Sequence, residues 1–135
     1  MIKHYWLGEF INTLMRTILI ADDDPVILKL FEHNLLKSGF NVIKCTEGAT
    51  VIAQAHLHKP DAVVLDYLLP GRTGLELIAD FKADESLASI PLVIVTAQGK
   101  TMTKDELMAA GARQVFTKPF SPMLLVSALE DFMKN

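Results

Sequence analysis

The chain has 135 residues, half of them apolar, and a formal net charge of −3 at pH 7. This length fits one domain, and the apolar share excludes an intrinsically disordered protein. No apolar run approaches the ~20 residues that cross a bilayer, and no signal-peptide pattern is present, so we expect a cytoplasmic protein without a membrane partner. The basic residues are scattered and do not form the stripe typical of a nucleic-acid surface, which favours a protein partner over direct nucleic-acid contact.

Residues 1–16 predict a helical N-terminal extension that precedes a domain at residues 17–135. One helical face collects the apolar side chains Trp6, Leu7, Phe10, Ile11, Leu14 and Met15, opposite Gly8, Glu9, Asn12 and Arg16. A helix packed on the domain and a remnant of an expression tag both explain this pattern. The functional alternative is a helix for self-association or partner docking, so a homodimer remains open. Deleting residues 1–15 without changing oligomeric state or partner affinity would exclude that alternative.

From residue 17 onward, short β-rich runs alternate with longer helical stretches. We expect strands at residues 17–21, 41–45, 62–65, 92–95 and 114–117. Two of these runs, AVVL and LVIV, are continuously apolar, as in strands that are covered on both faces. Between the strands, apolar residues such as Ile27, Phe31 and Leu35 recur at helical spacing. The alternation predicts parallel strands joined by right-handed crossovers, and therefore a three-layer α/β sandwich around a five-stranded sheet.

Capping residues agree with this division of the chain. Four helix starts carry N-cap signals, either a cap followed by proline or a capping box: Asp24-Pro25, Ser121-Pro122, Thr73 with Glu76, and Thr103 with Glu106. Gly39 and Gly111 stand where helix C-termini need a residue with left-handed backbone geometry. The predicted helices therefore have defined ends.

Polar residues follow the predicted strands at one common edge, where ligands of open parallel sheets bind. The side chains directly after the first, third, fourth and fifth strands are Asp22, Asp23 and Asp24, then Asp66, Thr96 and Lys118. Asp24 is explained as an N-cap, whereas Asp66 is not needed as one because Thr73 caps the next helix. A lone threonine at a strand end or a lone surface lysine is common, but their combination with several acids indicates a site.

The residue types at this edge suit phosphoryl transfer. Crowded carboxylates repel one another, and Mg²⁺ removes that conflict because it prefers oxygen ligands. Asp22 and Asp23 would hold the ion directly or through water, and Asp66 would act both as a ligand and as the nucleophile that forms a phosphoaspartate. The Lys118 ammonium and the Thr96 hydroxyl would stabilise the charge on the transferred group.

Four motifs, ILIADDDP, VVLDYLLPGRTG, VTA and TKPF, resemble in order and spacing the response-regulator receiver family of two-component signalling. The resemblance runs from residue 17 to the C-terminus and implies the flavodoxin-like strand order 2-1-3-4-5. It implies the following roles: Asp22 and Asp23 as the acidic metal pair, Asp66 as phosphoacceptor, Leu68 as a metal ligand through its backbone carbonyl, Thr96 as switch hydroxyl, Ala97 as the small residue beside the phosphoryl group, and Lys118 as counter-charge. The peptide bond between Lys118 and Pro119 would be cis, a geometry that proline makes accessible.

One position departs from the family pattern. Many receivers carry Tyr or Phe three residues before the motif lysine, and Val115 occupies that position here. Phe116 follows it, but neighbouring side chains of a strand point to opposite faces, so Phe116 should not substitute. We therefore expect the output to rest on the loop and helix after Thr96, beginning with AQGKTMT.

The leading interpretation is a phosphoryl-accepting receiver of a phosphorelay that acts as a switch, not as an enzyme on external substrates. A histidine kinase or phosphotransfer protein would supply the phosphoryl group, and a downstream protein would read the modified state. One alternative is a pseudo-receiver that docks or dimerises without phosphorylation. Val115 favours this alternative, because it replaces the aromatic residue that many receivers carry at that position. Another is a Mg²⁺-dependent phosphohydrolase, although such enzymes with an aspartyl nucleophile need a second acid where Leu68 stands.

Overall fold

A computed structural model describes residues 16–97 and 102–134, in which the five strands of the main sheet alternate with five α-helices. The strands are β1 (Thr17–Ala21), β2 (Asn41–Cys45), β3 (Ala62–Asp66), β4 (Leu92–Ala97) and β5 (Gln114–Lys118). The helices are α1 (Pro25–Lys37), α2 (Val51–His58), α3 (Gly74–Ala83), α4 (Lys104–Ala110) and α5 (Pro122–Met133). A short 3-10 turn, Gly48–Thr50, leads into α2. The predicted N-terminal extension lies outside the described residues, apart from Arg16.

The five strands form one parallel sheet in the order β2-β1-β3-β4-β5, which confirms the expected order 2-1-3-4-5. The chain reverses its direction of travel across the sheet between β1 and β3. In open α/β sheets, such a switch point leaves a crevice at the carboxyl ends of the strands. The topology therefore directs attention to the residues that follow β1 and β3.

Two apolar cores lie on the two faces of the sheet. Helices α2, α3 and α4 pack on one face, where buried side chains include Leu65, Phe81 and Ile94. Helices α1 and α5 cover the other face, with Leu35 and Leu129 fully buried. Because both faces are covered, β3 is apolar up to Asp66 and β4 is apolar up to Thr96. None of the helices in residues 16–97 and 102–134 is both long and apolar enough to span a bilayer.

The predicted caps are present. The side chains of Asp24 and Ser121 accept hydrogen bonds from the backbone amides of Val26 and Met123, and both capping boxes are formed. Gly39 and Gly111 follow the last turns of α1 and α4 with φ values of 95° and 131°. Side chains at the helix ends therefore supply hydrogen bonds that the first backbone amides would otherwise lack.

The strands extend further toward the carboxyl edge than the apolar runs predicted. Asp66 belongs to β3, Thr96 and Ala97 to β4, and Lys118 to β5. Ladder hydrogen bonds depend on the backbone and continue past the last apolar side chain, so hydrophobicity alone placed these strand ends too early. The segment after Asp66 contains a two-residue antiparallel ladder between Leu68–Leu69 and Arg72–Thr73.

Candidate functional site

Three aspartates converge at the carboxyl edge of β1 and β3. Asp22 and Asp23 follow β1, Asp66 ends β3, and one carboxylate oxygen from each lies within 4.8 Å of the others. Asp22 is 3% exposed, whereas Asp23 is open to solvent and Asp66 is half-buried. Within the described residues, this is the one group of three acidic, histidine or cysteine side chains close enough to share a metal ion.

Asp22 also has a structural role. Its Oδ1 atom accepts a hydrogen bond of 2.9 Å from the backbone amide of Asp24, and its own amide donates to the carbonyl of Cys45 on β2. Asp24 in turn caps α1 through the Val26 amide. The acidic turn is therefore held to both neighbouring elements, and the carboxylate of Asp22 is fixed in place at the switch point.

Lys118 supplies the positive charge next to the acids. Its Nζ atom lies 3.4 Å from Asp66 Oδ2 and 3.7 Å from Asp22 Oδ2. The position follows from the sheet, because β5 is two strands away from β3 and ends at the same edge. The peptide bond between Lys118 and Pro119 is cis, as expected. One ammonium group thus lies close to two of the three clustered carboxylates, those of Asp22 and Asp66.

This imbalance shows in the electrostatics of the two less exposed acids. Burial raises the pKa of Asp66, and the nearby Lys118 ammonium and the Leu68 amide only partly oppose that rise. Burial likewise raises the pKa of Asp22, against the hydrogen bond from the Asp24 amide, and the charge of Asp66 adds to the rise. Both shifts mean that the folded site resists carrying its full negative charge.

The donor set fits a hard divalent cation. All three candidate ligands are carboxylate oxygens, which Mg²⁺ prefers over nitrogen or sulfur. The raised pKa values of Asp22 and Asp66 identify charge that a cation would stabilise. The residues present at this edge can therefore hold a divalent metal ion.

The other predicted site residues lie along the same edge. Thr96 is buried in β4, one residue beyond Val95, which is the register partner of Asp66. Ala97 is the register partner of Lys118. Leu68 contacts Asp66 through its backbone amide, which donates to Asp66 Oδ1 at 3.4 Å. Contacts thus connect Asp22 and Asp66 to Lys118, and Asp66 to the Leu68 amide. Thr96 and Ala97 lie on β4, between β3 and β5.

Val115 and Phe116 point to opposite faces of β5, as the strand geometry predicted. Val115 is buried in the core beneath α2, α3 and α4. Phe116 packs on the other side, where its ring stacks on Phe120 with centroids 5.0 Å apart. Phe116 therefore does not replace the aromatic residue that the family pattern places at Val115. Of the predicted output segment, residues 98–101 lie outside the described part of the chain.

Comparison with known proteins agrees with this geometry. The model of the response regulator receiver domain family matches residues 18–130. The chain is 34% identical over 120 residues to the phosphate regulon transcriptional regulatory protein PhoB of Pseudomonas aeruginosa, covering 89% of this chain and 52% of that protein. It is 34% identical over 107 residues to the alkaline phosphatase synthesis transcriptional regulatory protein PhoP of Bacillus subtilis, covering 79% of this chain and 44% of that protein. The chain spans about half the length of these curated relatives.

Solved structures give the same result. A putative response regulator from Chloroflexus aurantiacus superposes with a TM-score of 0.82 at 31% identity, covering 89% of this chain and 98% of that one. The BeF3-activated N-terminal receiver domain of RstA from Klebsiella pneumoniae has a TM-score of 0.79 at 26% identity, covering 88% and 99%. Sequence, fold and site geometry thus agree: the chain belongs to the response regulator receiver domain family, whose members are signalling modules and not enzymes.

Proposed function

We propose that this chain is a phosphoryl-accepting switch and that Asp66 is the residue that becomes phosphorylated. The observation that carries the proposal is the position of the Asp66 carboxylate. It ends a central strand at the switch point, next to two further acids and 3.4 Å from the Lys118 ammonium. A carboxylate in this setting has a cation to offset the charge of an incoming phosphoryl group, and its half-buried position leaves it accessible to a donor.

Asp22, Asp23, Asp66 and the backbone carbonyl of Leu68 would hold Mg²⁺. The oxygen-only donor set and the upward pKa shifts of Asp22 and Asp66 support this assignment. When bound, the ion supplies positive charge that offsets the negative charge on the transferred phosphoryl oxygens. The same charge would relieve the mutual repulsion of the carboxylates in the resting protein.

The transfer itself needs little covalent chemistry from the protein. An oxygen of Asp66 attacks the phosphorus of a phosphohistidine donor, the new P–O bond forms as the donor's P–N bond breaks, and the electron pair leaves on the imidazole nitrogen. Lys118 stabilises the negative oxygens of the transferred group, and the Thr96 hydroxyl donates a hydrogen bond to one of them. Ala97 leaves room for the group because its side chain is a single methyl.

The donor partner is a histidine kinase or a phosphotransfer protein, and a downstream protein reads the modified state. The curated relatives are named as transcriptional regulatory proteins. We assign protein partners to the receiver domain, and the expectation of no direct nucleic-acid contact rests on the scattered basic residues of the sequence. Cytoplasmic location and a homodimer formed through residues 1–16 stay predictions from the sequence.

Val115 favours one alternative, a pseudo-receiver that docks without being phosphorylated. The buried valine removes the ring through which many receivers change state, while the acids and Lys118 remain together. A receiver that kept its acidic site would still accept phosphate, whereas a docking module would not depend on it. The two functions therefore differ in one measurable property, covalent phosphorylation of Asp66.

Intact-mass spectrometry with a small phosphodonor and Mg²⁺ tests the proposal. We expect wild-type protein to gain one phosphoryl mass and Asp66→Asn to gain none. Asp24→Asn is the matched control, because it makes the same chemical change directly after the acidic pair, at a side chain that caps α1, where Asn caps as well as Asp. An adduct that persists in Asp66→Asn moves the site elsewhere, and no adduct on wild-type protein supports the docking module.

A further inference from the structure

The segment that follows Asp66 forms a compact structure of its own. The amide of Gly74 donates to the carbonyl of Tyr67 at 2.7 Å and closes the segment, within which Leu68 pairs with Thr73 and Leu69 with Arg72. An isolated two-stranded ladder of this size is not stable in water. Its position relative to Asp66 must therefore be set by contacts to the rest of the domain.

Leu68 cannot supply this anchor through its own side chain, which is 54% exposed. The Leu69 side chain is buried and anchors the Leu68–Leu69 strand of the ladder in the core. The opposite strand of the ladder has no comparable apolar anchor, since Arg72 and Thr73 are both polar and only half-buried. Polar contacts must therefore hold that strand.

Arg72 makes the strongest of these contacts. Its Nε and Nη2 atoms donate to both carboxylate oxygens of Asp80 on α3, at 3.1, 2.7 and 2.6 Å, and Nη1 reaches Glu76 at 3.4 Å. Each side chain of the Arg72–Asp80 pair is about one-third exposed. Isolated surface ion pairs contribute little, but a two-point guanidinium–carboxylate fork fixes orientation as well as distance. The fork therefore fixes the Arg72–Thr73 strand of the ladder against α3.

The backbone around Arg72 fits closely against the turn that precedes α2. The amide of Gly48 donates to the carbonyl of Pro70 at 2.9 Å, and a Cβ atom on Gly48 would lie 2.7 Å from Arg72 Cβ. Arg72 is thus packed between Gly48 on one side and Asp80 on the other. This packing restricts movement of the Arg72–Thr73 strand relative to the Leu68–Leu69 strand.

We propose that Arg72 and Asp80 are positioning residues for the receiver reaction: their fork holds the Leu68–Leu69 strand in register beside Asp66 and preorganises the Leu68 carbonyl for the metal ion. The inference rests on the proposed function and deepens it. Neither residue touches the acids or the phosphoryl group. Both act through the ladder, in the way that groups behind a metal's direct ligands orient those ligands.

Mg²⁺ affinity measured by titration calorimetry tests this role in four variants. We expect Arg72→Ala and Asp80→Ala each to weaken Mg²⁺ binding about tenfold, as is typical for loss of such supporting groups. The double variant should bind no more weakly than either single variant, because both substitutions break the same fork. Asp80→Glu keeps a carboxylate within reach of the flexible arginine and should restore affinity to within about twofold of wild type.

Arg16→Ala is the matched control, because it removes another arginine–aspartate contact, to Asp61, at the start of β1 on the opposite edge of the sheet. It should leave Mg²⁺ affinity unchanged. Hydrogen exchange on Mg²⁺-free protein gives a second measurement. In Arg72→Ala and Asp80→Ala, the amides of Leu68–Leu69 and Arg72–Thr73 should exchange faster, while those of β1 and β3 keep their protection.

Equal Mg²⁺ affinity in wild type, Arg72→Ala and Asp80→Ala would overturn the inference while leaving the proposed function intact. Losses that add in the double variant would also overturn it, because they would show two independent effects. If wild-type protein itself takes up no Mg²⁺, the proposed function and this inference fail together. The wild-type titration therefore separates the two failures.

Discussion

The apolar parts of the strands and the acidic residues at their carboxyl ends have opposite effects on folding stability, although they are consecutive in the chain. In β3, the residues Ala62 to Leu65 are at most 1% exposed, and the next residue, Asp66, is a charged group whose pKa is raised by burial. The buried side chains of Val63, Val64 and Leu65 each contribute roughly 1.5–3 kcal/mol to folding. The carboxylates of Asp22 and Asp66 oppose folding at neutral pH, since burial disfavours their charged forms and raises their pKa values.

The difference shows why a rigid sheet is useful to this site. Repelling carboxylates move apart unless the backbone beneath them cannot move. Here β1 and β3 are hydrogen-bonded neighbours, and both are buried on both faces. Stability gained in the apolar part of each strand therefore offsets the cost of holding the acids together at its end. Substitutions in the two regions should have separable effects on stability and on the site.

The largest expected effect comes from the apolar region. Phe81 in α3 is fully buried, and Phe81→Ala should lower the free energy of unfolding by about 3–5 kcal/mol in urea denaturation. Phosphoryl uptake per folded molecule should not change, because Phe81 lies in the core and not at the carboxyl edge. Leu57→Ala is the control, since Leu57 is 70% exposed and its loss should cost less than about 0.5 kcal/mol. A loss of phosphoryl uptake in folded Phe81→Ala would show that the two regions are not separable.

An intermediate effect is expected from Lys118→Met, which keeps most of the side-chain stem but removes the ammonium. Asp22 and Asp66 then lose their nearby cation, and stability in Mg²⁺-free buffer at pH 7 should fall by about 1–3 kcal/mol. Mg²⁺ should bind more tightly to this variant, because a competing positive charge is gone. Lys44→Met, which breaks the exposed pair with Glu32, should change neither quantity by a comparable amount. Weaker Mg²⁺ binding in Lys118→Met would contradict this electrostatic reasoning.

The smallest effect has the opposite sign. Because burial raises the pKa of Asp66 in the folded state, ionisation of this group opposes folding as pH rises above its ordinary value of 3.8. Asp66→Asn should therefore stabilise the Mg²⁺-free domain at pH 7, by about 4 °C in Tm if the gain is ~1 kcal/mol. The gain should shrink as pH falls through the raised folded-state pKa of Asp66 toward its ordinary value, and should be lost below about 4, where the carboxyl is protonated in both the folded and unfolded states.

Thermal melts of wild type and Asp66→Asn between pH 3 and pH 7 measure this difference. Asp24→Asn serves as the control, since Asp24 is exposed and its cap is retained. If the difference in Tm between Asp66→Asn and wild type stayed constant over this range, the ionisation of Asp66 would not oppose folding.

The strands, the caps and the identity of the clustered side chains were predictable from the sequence. Runs such as AVVL indicate strands because a strand that is covered on both faces reads as a short, continuous apolar run rich in β-branched residues. The positions of Asp22, Asp66 and Lys118 at one edge followed from parallel topology alone. These features depend on local pattern and on a rule that holds for all open parallel sheets.

What the sequence did not predict depends on the conformation of a turn and of a short irregular segment. The hydrogen bond from the Asp24 amide to Asp22 depends on the conformation of the turn, and the Arg72–Asp80 fork depends on how the segment after Asp66 folds against α3. Neither has a spacing signal, since Arg72 and Asp80 are eight residues apart across a strand and a helix. The two-residue ladder was not predicted either, because Leu68–Leu69 is too short to show the alternation of a strand.

The most direct test of the acidic metal site is the stability of the domain as a function of Mg²⁺ concentration. If Asp22, Asp23 and Asp66 bind the ion in the folded state only, the free energy of unfolding should rise with the logarithm of Mg²⁺ concentration, by about 2.7 kcal/mol at one hundred times the Kd. Asp22→Asn and Asp23→Asn should lose most of this rise, and Asp24→Asn should keep it. A domain whose stability does not respond to Mg²⁺, or responds equally in all three variants, would contradict the site described for this protein.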